Sequence, residues 1–302
     1  MPQREPVFTG TCTALVTPFT PTGEVWFERL GELIEDQIAA GIDALCVCGT
    51  TGETPTLSTK EHLDTISFCC ETVNRRVPVL AGTGGNNTRK AAELSHQAQT
   101  LGADAVLSVT PYYNKATQEG LVRHFETIAD AVEIPVILYN VPSRTGMSFT
   151  AETYERLAQH PNIGGVKEAS GSLDLLSHTR RLCPDLPVWS GNDDQTVAMM
   201  SLGAKGVISV AANLLPEPMT RMTHLCLRER FDEAAELQLD LLPLLDALFC
   251  EVNPIPIKAA LSLIGRDVGV PRLPLTKLSP EHKALLKRVL LESGLFQKNQ
   301  LQ

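Results

Sequence analysis

Through the first three quarters of the chain, short apolar runs rich in β-branched residues alternate with segments whose apolar positions recur every three or four residues. The runs predict strands over residues 11–16, 44–49, 77–82, 105–110, 135–140, 163–169, 188–191 and 206–210. Between the first two, Trp26, Leu30, Leu33, Ile34 and Ile38 repeat at helical spacing and would bury one face. Comparable helices fit residues 61–73, 89–101, 118–132, 151–159, 173–182, 194–202 and 217–227. Three helix-to-strand joints share a glycine, at Gly41, Gly102 and Gly203, each suited to the left-handed turn that ends a helix before a buried strand. They read as weak internal repeats of one βα unit.

Strands that are apolar on both faces and joined by helices imply a parallel sheet, and eight βα units are the number that closes a (β/α)8 TIM barrel. An open doubly wound sheet is the alternative architecture. From Arg230 onward the strand signal stops, leaving helices over 231–250, 257–264 and 280–292, with Ser279 and Pro280 as cap and first helical residue and Gly294 as a stop. The expected division is a catalytic barrel over residues 1–229 and a C-terminal helical appendage over 230–302.

Charge and composition narrow the function. A formal charge of -9, with Lys and Arg scattered rather than gathered into a stripe, argues against nucleic acid or an anionic membrane as partner. Met1 to Gly10 holds Arg4 and Glu5 with no apolar stretch behind them, and the apolar run over 237–250 is broken by Asp240, Pro243 and Asp246. A soluble, cytoplasmic protein is the expectation. The eight cysteines include no pair at the two-residue spacing of zinc or thioredoxin sites, so they read as reduced packing residues.

Lys167 is the residue that most changes the picture. It stands in the run Ile163-Gly164-Gly165-Val166-Lys167-Glu168, where a strand normally buries small and branched side chains. A model lysine is the neutral amine in only about one molecule in 10³ at pH 7, a deficit of roughly 4.6 kcal/mol, and burial disfavours the charged form. An amine in such a strand could attack a carbonyl and form a Schiff base. The other reading is a strand-end lysine that snorkels to water or pairs with an acid; both stand on the residues alone.

In a parallel barrel the active site lies where strands pass into helices, and those joints are chemically rich here. They are Gly49-Thr50-Thr51-Gly52-Glu53, Pro111-Tyr112-Tyr113-Asn114, Tyr139-Asn140-Val141-Pro142-Ser143-Arg144-Thr145-Gly146 and Gly191-Asn192-Asp193-Asp194, with Ile208-Ser209 on the eighth strand. Thr50 and Thr51 read first as caps of the next helix, and second as holders of a small carboxylate. Tyr139 could exchange protons with a substrate on the neighbouring Lys167, or simply hydrogen-bond at the rim. Arg144 offers a planar fork to a carboxylate, or a surface ion pair. Gly82-Thr83-Gly84-Gly85 lacks the third glycine of a dinucleotide fingerprint and reads as a turn. Asp193 reads as an N-cap rather than a metal ligand, because none of the seven histidines falls at a strand end.

In combination, Gly49 to Glu53, Tyr112-Tyr113, Tyr139 to Gly146 and Gly165-Val166-Lys167-Glu168, with Asn253-Pro254-Ile255-Pro256-Ile257-Lys258 near the C-terminus, resemble the dihydrodipicolinate synthase family of pyruvate-dependent aldolases. The resemblance runs nearly end to end. It implies a TIM barrel with a helical C-terminal region, a homotetramer built as a dimer of dimers, and no metal or organic cofactor. Lys167 would form the Schiff base with pyruvate. Thr51 would help hold the pyruvate carboxylate, and Tyr139, Thr50 and Tyr113 would relay protons, Tyr113 reaching across the tight-dimer interface. Arg144 would bind the carboxylate of L-aspartate 4-semialdehyde, and Gly191 and Ile208 would line the pocket through their backbones. The product would be 4-hydroxy-tetrahydrodipicolinate, in lysine and diaminopimelate biosynthesis.

Relatives that cleave sialic acid, sugar acids or hydroxyproline-type substrates share the equivalents of Lys167 and Tyr139, so those two fix the mechanism class and Arg144 the aldehyde. A barrel that only binds a keto acid is the non-enzymatic alternative. His62, Asn86 and Tyr112 match positions where lysine-inhibited members bind lysine. Sensitive plant and enterobacterial members carry an acid where Lys90 stands, and Thr59 and Pro55 also depart from their pattern.

Overall fold

The computed structural model describes residues 5–297 and residue 301; Met1 and Arg4 of the N-terminal stretch lie outside them. The apolar runs become strands β1 (Gly10–Ala14), β2 (Ala44–Val47), β3 (Val79–Gly82), β4 (Ala105–Val109), β5 (Val136–Asn140), β6 (Ile163–Glu168), β7 (Val188–Ser190) and β8 (Gly206–Ser209). Neighbours pair in parallel and in chain order, and β1 pairs β8, so the sheet closes. The open-sheet alternative is thereby overturned.

Helices cover the outside: α1 (Phe27–Ala39), α2 (Thr59–Val73), α3 (Thr88–Thr100), α4 (Gln118–Asp130), α5 (Pro142–Thr145), α6 (Ala151–Leu157), α7 (Leu173–Leu182), α8 (Thr196–Ser201) and α9 (Pro216–Leu227). Leu30, Leu33 and Ile34 of α1 are buried as their spacing requires, each worth about 1.5–3 kcal/mol of hydrophobic stabilisation. Gly41, Gly102 and Gly203 all take positive φ at the predicted joints. Beyond the barrel come α10 (Phe231–Ala247), α11 (Ile255–Leu263) and α12 (Pro280–Glu292), with Ser279 accepting the His282 N–H as the expected cap. Among the described residues no helix is long and apolar enough to cross a membrane.

Three departures from the expected elements have local causes. The helix α2 starts at Thr59 because Ser58 and Glu61 form a reciprocal capping box just upstream. The segment predicted as one helix over 194–202 splits into a 3-10 turn, Asp193–Gln195, and α8. The short helix α5, which carries Arg144, has too few residues to show a period and was not expected.

Strand alternation sends two sets of side chains to two cores. Leu45, Val106, Leu138, Val166 and Val207 face the helices, whereas Cys12, Ala14, Cys46, Leu80, Leu107, Ile137, Tyr139, Trp189 and Ile208 fill the barrel interior. Trp189 is fully buried, stacks on Phe8 with ring centroids 4.9 Å apart, and donates its Nε1–H to the Phe8 carbonyl at 3.2 Å. That indole is in register with Lys167 on one side, and Lys167 with Tyr139 on the other. The cysteines carry free thiols; burial pushes Cys46 up to about 11 and Cys12 well above its ordinary value, as expected of packing residues.

Candidate active site

Lys167 points into the barrel because β6 places Val166 and Glu168 on the outer face. Outside, the Glu168 carboxylate accepts from Asn140 Nδ2 at 3.1 Å, the Tyr154 hydroxyl at 2.9 Å and the Ser170 N–H at 2.7 Å. These bonds lock β6 to β5 and α6 and so fix the rotation of the strand. Burial still raises the Glu168 pKa against their opposing pull.

Inside, Lys167 is 5% exposed and its Nζ lies 4.4 Å from the centre of the Tyr139 ring. Among the described residues no ion pair reaches it, so a ketone docking at Nζ has no salt bridge to displace. The snorkelling and acid-paired readings of Lys167 both fail on this geometry. Space for Lys167 depends on Gly191: a Cβ there would stand 2.6 Å from Ala169 Cβ and 3.1 Å from Lys167 Cε. Ile208 is fully buried nearby in the interior core.

A cavity of about 260 Å³ opens above, lined among others by Thr50, Pro55, Tyr112, Tyr139, Arg144 and Thr145. Tyr139 joins the two halves, since its ring lies beside Nζ and also borders the cavity. Lys167, Thr51, Gly191 and Ile208 are not among the lining residues. Gly82 and Gly84 are, so the glycine-rich segment read as a turn is also a wall. Gly82 tolerates no side chain, because a Cβ would stand 2.1 Å from the Cys48 carbonyl oxygen.

The capping reading of Thr50 and Thr51 is overturned. No side chain caps the 3-10 turn that follows them, and α2 is capped by Ser58. Thr51 is 2% exposed and its hydroxyl oxygen accepts from Asn253 Nδ2 at 3.0 Å. Arg144 is exposed and donates from Nη2 to the Asn253 carbonyl at 3.2 Å rather than to a carboxylate. Asp193 caps a turn other than its own. Its Oδ2 accepts the N–H groups of Val210 (3.1 Å) and Ala211 (3.0 Å) at the end of β8, and burial raises its pKa.

Tyr113 is also absent from the cavity lining and, unlike Lys167, Thr51 and Ile208, it is not buried. It is 94% exposed and holds a positive φ of 69°, unusual for a tyrosine. His62 sits below the cavity, where its Nε2 lies 2.8 Å from the Gly82 carbonyl oxygen and burial lowers its pKa. Asn86 Nδ2 donates to the Tyr112 carbonyl at 3.3 Å, and Lys90 lies in the first turn of α3. Among the described residues no group of acids, histidines and cysteines is arranged to hold a metal ion.

Two sets of contacts escape a reading of the sequence by patterns, although both start from residues of the Asn253 to Lys258 motif. One is made by Asn253, which contacts both Thr51 and Arg144. The other is made by a second buried lysine, Lys258 of α11, whose Nζ lies 2.5 Å from Glu53 Oε1. The other oxygen of Glu53 accepts the Arg272 N–H at 2.9 Å, and both cations pack on the Phe19 ring, Lys258 Nζ 4.2 Å and the Arg272 guanidinium 4.3 Å from its centre. Burial pushes the Lys258 pKa down while Glu53 pulls it back up. Nothing local marks these contacts, because the partners are more than one hundred residues apart.

The profile of the Dihydrodipicolinate synthetase family matches residues 7–293. The 4-hydroxy-tetrahydrodipicolinate synthase of Caldicellulosiruptor saccharolyticus is 49% identical over 290 residues, 96% of this chain and 98% of that protein. Among solved structures, the dihydrodipicolinate synthase of Aquifex aeolicus superposes with a TM-score of 0.94 at 45% identity, covering 97% of this chain and all of that one. A lysine-bound dihydrodipicolinate synthase of Cyanidioschyzon merolae does so with a TM-score of 0.94 at 40% identity and the same coverage.

Proposed function

Since the chain belongs to the dihydrodipicolinate synthetase family, we propose that Lys167 is the amine through which it condenses pyruvate with L-aspartate 4-semialdehyde to give 4-hydroxy-tetrahydrodipicolinate. The observation that carries the assignment is a buried lysine with no ion pair among the described residues, its Nζ 4.4 Å from a tyrosine ring that also borders a cavity holding Thr50 and Arg144.

The Lys167 amine adds to the pyruvate ketone, and loss of water leaves a protonated imine. The cationic nitrogen withdraws electrons from the methyl group, which gives up a proton and becomes the enamine carbon. Tyr139 shuttles protons in these steps and Thr50 connects it to the mouth of the cavity. The enamine carbon attacks the aldehyde, and the amino group of the adduct then displaces Lys167 to close the ring. The imine is itself the electron sink, so this sequence of steps calls on no cofactor.

Thr51 holds the pyruvate carboxylate in this reading. Gly191 leaves room for the lysine stem, and Ile208 closes the interior beneath the substrate. Tyr113 stands outside its own cavity and completes the proton relay of a second copy, which calls for a tight dimer; the family resemblance makes a homotetramer of two such dimers the expected assembly. Residues 230–302 act as a helical appendage braced against the barrel over 1–229, and the cytoplasm is the expected compartment.

Borohydride reduction in the presence of pyruvate should add pyruvate-derived mass at Lys167, and a coupled assay should register condensation with the semialdehyde. An unmodified lysine would favour the keto-acid-binding barrel. An adduct without condensation, but with cleavage of sialic or sugar acids, would favour those aldolases. Arg144→Ala should raise the apparent KM for the semialdehyde about 10- to 100-fold, the loss of one charge-assisted contact, and leave that for pyruvate nearly unchanged. An unaltered semialdehyde constant would point to a different aldehyde.

Lysine at millimolar concentration should inhibit weakly or not at all. Lys90 would face the ligand's ammonium with a like charge, costing about 1 to 4 kcal/mol at 4 Å depending on screening. Half-inhibition in the submillimolar range would refute this and return His62, Asn86 and Tyr112 to a working allosteric site.

A further inference from the structure

Asn253 lies in the turn before α11, well past the barrel strands, yet it is 5% exposed and contacts two of the barrel's catalytic-end loops. Its side-chain amide donates to Thr51 Oγ1 and its backbone carbonyl accepts from Arg144 Nη2. We propose that Asn253 is a positioning residue for both substrate carboxylates: its amide orients the Thr51 hydroxyl toward pyruvate, and its carbonyl steadies the Arg144 fork. The inference rests on the roles given above to Lys167, Thr51 and Arg144.

A threonine hydroxyl has one proton to give and two lone pairs to receive with. Donation from Asn253 Nδ2 occupies a lone pair and leaves the Thr51 proton for an acceptor other than Asn253. A keto-acid carboxylate beside Lys167 is such an acceptor. In the structure the amide acts on Thr51 as a donor, Nδ2 lying 3.0 Å from Oγ1, and among the described residues Asn253 Oδ1 has no hydrogen-bond partner.

The amide is held in place by the ion pair five residues further on. Lys258 binds Glu53, and Glu53 lies two residues beyond Thr51 in the same loop. The C-terminal segment therefore grips this loop at two points, one at each end of Thr51-Gly52-Glu53. Arg144, arriving from the loop after β5, is tied to the same turn. One residue of the appendage thus sets the separation between the two carboxylate binders.

The test is a pyruvate titration of borohydride trapping in the full chain, alongside steady-state kinetics. With wild type trapped at Lys167, N253A should raise the half-saturating pyruvate concentration about tenfold, the size of one such hydrogen bond. The KM for the semialdehyde and kcat should move less than about twofold, because alanine keeps the backbone carbonyl on which Arg144 leans. N253D has nearly the shape of asparagine and can only accept, so it should capture the Thr51 proton and raise half-saturation further than N253A. The double variant T51V/N253A should be no worse than T51V alone. Equal half-saturation in wild type, N253A and N253D overturns the inference and leaves the Schiff-base reading intact, as does N253D matching wild type while N253A is impaired. Additive penalties in the double variant also overturn it. A wild type that traps no pyruvate removes both.

Discussion

Lys167→Arg is expected to abolish condensation while leaving the barrel folded. Arginine keeps a cation at the same strand position, but its guanidinium does not deprotonate in proteins and cannot become the nitrogen of an imine. The variant therefore separates the charge of Lys167 from its nucleophilicity. Removing a covalent nucleophile costs on the order of 10⁴-fold or more in kcat, equivalent to about 5 kcal/mol of transition-state stabilisation at 1.36 kcal/mol per tenfold. Borohydride with pyruvate should add no mass to Lys167→Arg or to Lys167→Ala. If Lys167→Arg kept even a tenth of wild-type turnover, the amine would not be the nucleophile. The second buried lysine is an internal control, since Lys258 is engaged by Glu53 and should stay unmodified in wild type.

The largest effect on stability is expected from Lys258→Met. Its side chain is 1% exposed and that of Glu53 is fully buried, so the substitution leaves a carboxylate in the interior with, among the described residues, only the Arg272 N–H to satisfy it. Breaking one side of a buried pair costs about 3–5 kcal/mol, which should lower Tm by on the order of 10 °C. Glu53→Gln combined with Lys258→Met removes both charges and should recover much of that loss, because a buried ion pair gains little over a well-packed neutral one once desolvation is counted. Thermal unfolding of the two single variants and the double variant measures this directly. A Lys258→Met single variant as stable as wild type would mean that water reaches Glu53. In the double variant the loop over residues 49–53 loses its Lys258 tie to the C-terminal segment, so the apparent KM for pyruvate should rise even where Tm recovers.

The fold was legible because each element carries its own period. Strands such as β2 are apolar on both faces, helices such as α1 and α4 repeat their buried positions every third or fourth residue, and a glycine closes three of the joints. The elements that escaped are too short to have a period: α5 with Pro142 to Thr145, and the 3-10 turn at Asp193. The candidate site was legible in part for the same reason. Lys167 follows the apolar run Ile163 to Val166 within a buried strand and so announces itself.

Thr50 and Thr51 misled because a hydroxyl before a helix looks alike whether it caps or binds. Ser58 took the cap, and only the folded chain shows which residue won. Asp193 misled in a related way, since its carboxylate reached across to β8 rather than back to its own turn.

By its own residues, then, the sequence determined the number and kind of elements, their parallel order, and one amine out of place in a strand, all of them local or periodic properties. Only tertiary structure decided the neighbours of that amine: the Tyr139 ring beside it, the gap left by Gly191, and the absence of an ion pair among the described residues. It also decided that the other buried lysine would be neutralised by Glu53 and that Asn253 would reach both Thr51 and Arg144. Such contacts join residues one to two hundred positions apart. They depend on how the closed barrel and the C-terminal helices meet, and short-range periodicity carries no information about that.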